Sequence, residues 1–240
     1  VQQQFSEIHP IFFHLLYNTL TCYVVCIQSP ISFSQIFCSI HNVISSFLLA
    51  PFQRRGCFSP GIEVQRSLDI NPGADKIRVL MIGDSGSGSP EQKNIAVKSA
   101  ATCEELGCDL VLMLGDNFIQ HGVESIDDPQ FQEKFEELYP QQLPFYAVLG
   151  NHDLRGNWRA QVEYTNHSQR WTMPDVNYRF IGGPVQFMGI NTSCTVCSLW
   201  NLMTPRPTPW RLVFGHRPMK TQGRHRGMTW LEKFFIRCTS

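Results

Sequence analysis

Four short apolar runs stand out along the chain, at residues 77–82, 110–114, 145–149 and 211–214, each rich in branched or aromatic side chains. Runs this short, each closed by a glycine, predict buried β-strands. Between the first two, Ile95, Ala96, Ala100, Cys103 and Leu106 recur at helical spacing. Ser89 is placed as the N-cap of that helix, Pro90 at its first position, Gln92 three residues after the cap, and Gly107 where it stops. Asp128-Pro129 opens a second helix through Phe131, Phe135 and Leu138, and residues 158–166 form a shorter one. Residues 178–181 and 185–190 flank Gly182-Gly183-Pro184 and read as an antiparallel hairpin. Strands alternating with helices, then a hairpin, predict a mixed α/β sandwich.

The residues just beyond each strand give the pattern its chemistry. The four runs lead into Gly83-Asp84-Ser85-Gly86, Gly115-Asp116-Asn117, Gly150-Asn151-His152-Asp153 and Gly215-His216. A glycine there lets the chain turn sharply and come close to an ion. Ligands of open α/β sheets collect beyond the carboxyl ends of the strands, so two carboxylates, an amide oxygen and an imidazole are expected to converge on one edge as a metal centre. The plainer alternative makes Asp84 and Asp116 turn formers or helix caps. Asn117 is expected to be a turn former, Asp153 a supporting partner rather than a ligand, and His121 and His167 ordinary surface residues.

The order Gly-Asp-x-Gly, Gly-Asp-Asn, Gly-Asn-His-Asp, Gly-His resembles the calcineurin-like metallophosphoesterases. The text between these motifs sharpens the likeness. Gly115-Asp116-Asn117-Phe118 continues into Gly122-Val123; Gly156-Asn157-Trp158 through Tyr164 leads to Arg170-Trp171 and Met173-Pro174; Gly215-His216-Arg217-Pro218 precedes His225 and Gly227. Over about Ile77 to Trp230 the chain is most similar to the purple, or tartrate-resistant, acid phosphatase branch.

That resemblance implies a four-layer α/β/β/α sandwich and two metal ions drawn from Fe, Zn or Mn. It gives Asp84 to the first ion, Asp116 to both as a bridge, and Asn151 and His216 to the second. His152 would face the phosphoryl oxygens, and His225 would protonate the leaving alkoxide. The implied activity is hydrolysis of a small phosphate monoester by metal-bound hydroxide. Three departures set the chain apart. Ile119 stands where the branch carries a metal-coordinating tyrosine, and no Gly-His-x-His segment precedes the end at Ser240. Residues 191–209 also lack the amphipathic helix that the resemblance implies. The domain is therefore expected to be incomplete at its C-terminus, and a catalytically impaired relative that binds or scaffolds is the alternative function.

Composition adds limits. With 240 residues and 42% hydrophobic content, the chain can bury one domain-sized core. Twenty basic and twenty acidic residues cancel, leaving no basic footprint for nucleic acid. Ser85, Ser87 and Gly88 resemble a phosphate cradle, but the spacing is not that of a nucleotide P-loop. Residues 11–27 are largely apolar, and charges are almost absent from 8 to 53. Residues 1–60 are accordingly set apart as a signal or anchor segment, or a mis-called start, from a domain at 73–240. Membrane association is expected only through that segment, with an extracytoplasmic or secreted location. Nine cysteines at irregular spacing give no disulfide framework, and packing is their expected role. Asn166-His167-Ser168 and Asn191-Thr192-Ser193 are glycosylation sequons that matter in a secreted eukaryotic chain.

Overall fold

The computed structural model describes residues 66–140, 142–193, 207–222 and 227–228. The expectations for residues 1–60, for His225 and for Cys22, Cys26, Cys38, Cys57, Cys194, Cys197 and Cys238 fall outside them. Two sheets carry the fold. The first is parallel, in the order β1 (Val79–Ile82), β2 (Leu110–Met113), β3 (Phe145–Ala147) and β4 (Trp171–Thr172). The second runs β5 (Tyr178–Gly182), β6 (Val185–Gly189) and β7 (Trp210–Phe214). Its first pair is the expected antiparallel hairpin, with Phe180 opposite Phe187, whereas β7 lies parallel to β6.

The sheets pack face to face through aromatic rings. Tyr146 of β3 stacks on Phe180 of β5 at 3.7 Å between centroids, and Phe180 stacks on Phe187 at 4.8 Å. Successive side chains of a strand point to opposite faces, so Phe145 turns the other way. There it meets Phe135 and Tyr139, with Trp171 beside Phe135 at 5.1 Å. Phe131, Phe135, Tyr139, Phe145 and Trp171 are all essentially without solvent exposure. Of the four expected layers, the described residues supply both sheets and the helical layer on the parallel one.

That layer contains α1 (Pro90–Leu106) and a short, wide helical turn at Gln132–Glu136. The helical run covers 130–136, where a helix through Leu138 is expected, with its last five residues wound wide. Asp128 does cap its approach, accepting the Gln130 N–H at 3.0 Å. The N-terminus of α1 departs from the expected capping box. Ser89 makes no side-chain cap bond, and Gln92 instead accepts the Gly88 N–H at 2.6 Å while donating to Lys134 O at 3.0 Å. Gln92 thus serves the docking of α1 onto the turn rather than the cap. The helix buries Gln92, Ala96 and Ser99, and Leu106 is exposed. Gly107 ends it as expected, with φ 76°.

Two further findings were not legible in the sequence. Residues 171–172 form a fourth parallel strand, and Cys103 is disulfide-bonded to Cys108, against the expectation that every cysteine serves packing. The bridge ties the last turn of α1 to the start of β2, where Arg78 N–H donates to Asp109 Oδ2 at 2.7 Å. Among the described residues no helix is long and apolar enough to cross a membrane.

Candidate metal centre

The strand ends are stitched together by main-chain bonds. Leu114 N–H donates to Ile82 O at 2.8 Å and Val148 N–H to Met113 O at 3.0 Å, which levels the ends of β1, β2 and β3. Beyond them, Asp84 N–H donates to Gly115 O and Gly86 N–H to Asp116 O, both at 3.1 Å. Asp84 and Asp116 each sit at φ 53°, in the left-handed region that aspartate tolerates better than most side chains. Two glycines make room. A Cβ on Gly150 would lie 2.1 Å from Asp116 Oδ1, and one on Gly115 would lie 2.8 Å from both Gly150 N and His216 Cβ.

His216 arrives from the second sheet, at the end of β7, which corrects the expectation of a single sheet edge. The parallel pairing of β6 and β7 delivers it: the C-terminal ends of β1, β2, β3 and β7 then face one space between the sheets. His216 Nδ1 lies 3.1 Å from Leu114 O. A proton on Nδ1 donates to that carbonyl and leaves Nε2 with its lone pair, the form suited to a metal. Nε2 is 3.2 Å from Asn151 Oδ1 and 3.6 Å from Asp116 Oδ2. One ligand atom each from Asp84, Asp116 and His216 fall within 4.8 Å of one another. Lone pairs from two carboxylates, an amide and an imidazole thus crowd one point, and this donor set fits a divalent cation.

Asp153 stands behind the site, as expected of a supporting partner. It is fully buried and accepts from Gly150 N at 2.8 Å, Phe118 N at 3.1 Å, Asn117 N at 3.2 Å, Gln161 Nε2 at 3.2 Å and Asn117 Nδ2 at 3.3 Å. One carboxylate therefore pins the turn after β2 to the turn after β3. Burial pushes its pKa up to about 6, with the donors from Gly150 and Asn117 opposing the shift and the Asp116 carboxylate adding to it. Asn117 belongs to this clamp, donating also to Val148 O at 2.9 Å. Gln161, on α2 (Trp158–Glu163), lies in the stretch that carries the family likeness but had no role assigned there, because only the tertiary fold brings it to Asp153.

His152 is half-buried at the rim. Its Nε2 lies 3.9 Å from Asp116 Oδ2, and its main-chain N–H donates to Asp116 Oδ1 at 2.9 Å. Nδ1 accepts the N–H of Gln120 at 3.2 Å. Gln120 has φ 90°, and its carbonyl accepts from the Arg155 guanidinium at 3.2 Å. This brace was not visible in the sequence, since it uses the main chain of an unremarkable glutamine. Ile119 offers only an aliphatic side chain, and its N–H donates to Gly86 O at 2.9 Å. His121 and His167 are exposed, as expected.

Comparison with known proteins agrees with this geometry. The calcineurin-like phosphoesterase family model matches residues 77–237, a region that includes every side chain just described. Purple acid phosphatase 3 of Arabidopsis thaliana is 29% identical over 208 residues, covering 72% of this chain and 57% of that protein. Human tartrate-resistant acid phosphatase type 5 is 40% identical over 115 residues, covering 43% of this chain and 35% of that protein. The chain thus spans little more than half, or less, of these relatives' lengths. A solved structure, GAP50, described as the anchor in the inner membrane complex of Plasmodium, superposes with a TM-score of 0.58 at 21% identity. It covers 68% of this chain and 61% of that one, and shows likeness of fold. The matching family model is that of calcineurin-like phosphoesterases, and these relatives are named as acid phosphatases. The chain belongs to the calcineurin-like phosphoesterase family, in the branch of the purple and tartrate-resistant acid phosphatases.

Proposed function

We propose that this chain is an acid-phosphatase-like phosphomonoesterase acting on small phosphorylated substrates, with a catalytic domain at residues 73–240. The observation that carries the reading is the convergence of Asp84, Asp116 and His216 on one point. Asp84, Asp116, Asn151 and His216 would hold two metal ions, with Asp116 between them because its two oxygens can face different ions. Ions bound there supply Lewis acidity toward water and toward the phosphoryl oxygens. Fe, Zn and Mn all suit carboxylate, amide and imidazole donors. Ile119 removes the phenolate that would colour an iron site, so the loaded protein is expected to be colourless.

At the rim, His152 acts on the substrate. With Nδ1 of His152 held against the main chain of Gln120, the ring, in the tautomer with hydrogen on Nε2, offers that hydrogen to a phosphoryl oxygen. That hydrogen bond strengthens as charge builds in the transition state. His225 is assigned the delivery of a proton to the leaving alkoxide. The Cys103–Cys108 disulfide supports an extracytoplasmic or secreted location.

A second reading, a binding or scaffold protein that keeps the fold, draws on Ile119 and on the likeness to a protein described as an anchor. One experiment separates them. The purified chain and Asp116→Asn are loaded with Zn, Mn or Fe, analysed for metal and assayed on p-nitrophenyl phosphate. The enzyme reading expects bound metal and turnover in the wild type and loss of both in the variant. Metal without turnover favours the scaffold, and equal metal content in both proteins removes the assigned site.

A further inference from the structure

The two sequons, Asn166-His167-Ser168 and Asn191-Thr192-Ser193, are alike as sequence and opposite in the fold. Asn166 closes the tight helical turn Tyr164–Asn166 and is exposed, as is His167 beside it. Asn191 has 0% exposure. Its N–H donates to Asn177 Oδ1 at 2.8 Å, and its Oδ1 accepts the Ser193 N–H at 3.0 Å. Thr192 Oγ1 accepts the N–H of Arg217, the residue after His216, at 3.0 Å. A bulky group on Asn191 would have to unseat this turn, and with it the strand end that carries His216.

A second, independent observation concerns the compartment. Disulfides such as Cys103–Cys108 persist where the environment is oxidising, and the eukaryotic secretory lumen, where asparagine is glycosylated, is such a place. We propose that Asn166 carries an N-linked oligosaccharide and that Asn191 carries none in the folded protein. In the transfer, Asn166 Nδ2 bonds to the anomeric carbon of an oligosaccharide held on a polyprenyl diphosphate. The carbon–oxygen bond to the diphosphate breaks, the lipid diphosphate leaves, and Nδ2 gives up one proton; nothing is oxidised or reduced.

The position suits a glycan. Ser168 Oγ accepts the Trp171 N–H at 2.9 Å, and Trp171 pairs with Phe145 at the start of β3. The sugar therefore sits at the opposite end of the parallel sheet from the metal centre, where a solvated mass leaves the site open.

The test is to send the full chain through the secretory pathway of a eukaryotic host behind a cleavable leader, then treat it with PNGase F in heavy-oxygen water. Each glycosylated asparagine becomes an aspartate labelled at its new oxygen. The expected result is label at residue 166, none at 191, and loss of the electrophoretic shift in Asn166→Gln but not in Asn191→Gln. Chain retained in the endoplasmic reticulum can be read in the same way, so poor secretion does not blunt the test. An unlabelled residue 166, or label at 191 in chain that resists proteolysis as a folded protein does, overturns the proposal.

Discussion

The main-chain N–H of Gln120 points at Nδ1 of His152 across 3.2 Å, and the carbonyl of the same residue lies 3.4 Å from that nitrogen, so the main chain of Gln120 holds the orientation of the ring. Gln120 holds the unusual φ of 90° that presents the N–H, while Arg155 grips its carbonyl. Nε2 is left at the rim, 3.9 Å from Asp116 Oδ2.

His152→Ala is accordingly expected to lower kcat by about 10²–10⁴-fold, the usual range for a positioned acid–base or charge-stabilising group. Metal content should stay near that of the wild type. Single-turnover kinetics beside elemental analysis checks both halves. An unchanged kcat takes His152 out of the mechanism.

Asp153→Ala should be severely destabilising. It strands the buried N–H groups of Gly150, Asn117 and Phe118, each costing about 1–3 kcal/mol when left unsatisfied. Denaturant titration should show a shift of several kcal/mol, or no cooperative transition at all. Asp153→Asn, which keeps the shape and one acceptor oxygen, should lose less; equal loss in both variants would mean that the second acceptor oxygen, rather than the shape of the side chain, matters there.

Gly150→Ala places a methyl group 2.1 Å from Asp116 Oδ1 and 2.2 Å from Asp116 N. Both neighbours are fixed by the turn, so the Asp116 carboxylate must move. The expected outcome is reduced metal binding in a protein that still folds, measured by calorimetric titration with Zn or Mn. Wild-type affinity would count against the close packing of these two turns.

Alkaline pH should unfold the protein through its phenols. Burial pushes Tyr139, Tyr146 and Tyr178 up, and lifts Tyr164 to about 12 with the Glu136 carboxylate adding to the shift. An unfolded phenol loses its proton near pH ~10 while the folded one keeps it. The unfolded state then binds fewer protons, so this contribution to stability is full below about pH 10 and is lost as pH rises through about 12. Denaturant midpoints taken across that window should fall, and Tyr164→Phe should flatten part of the slope. A flat profile in the wild type would contradict the burial of these rings.

The strands that carry the site, and the residues at their ends, are written locally in the chain. β1, β2, β3 and β7 were legible because short, branched apolar runs closed by glycine have few other uses, and the hairpin because Gly182-Gly183-Pro184 can only turn. The stop of α1 was legible for a similar reason, since Gly107 adopts the positive φ that ends a helix cheaply. Each of these effects acts within a few residues. Other features depend on partners far away in the chain. Trp171–Thr172 is too short to announce itself and becomes a strand only by pairing with Phe145 and Tyr146. Gln92 has the spacing of a capping residue, yet the nearby Lys134 carbonyl and Gly88 N–H claim its amide. Cys103 and Cys108 look like packing residues until the end of α1 brings them together. His216 was recognisable as a ligand type, but only the parallel pairing of β7 with β6 carries it from the second sheet to Asp84 and Asp116. Local sequence sets which chemistry is available, whereas the distances that make it a site come from sheet pairing, which joins residues far apart in the chain.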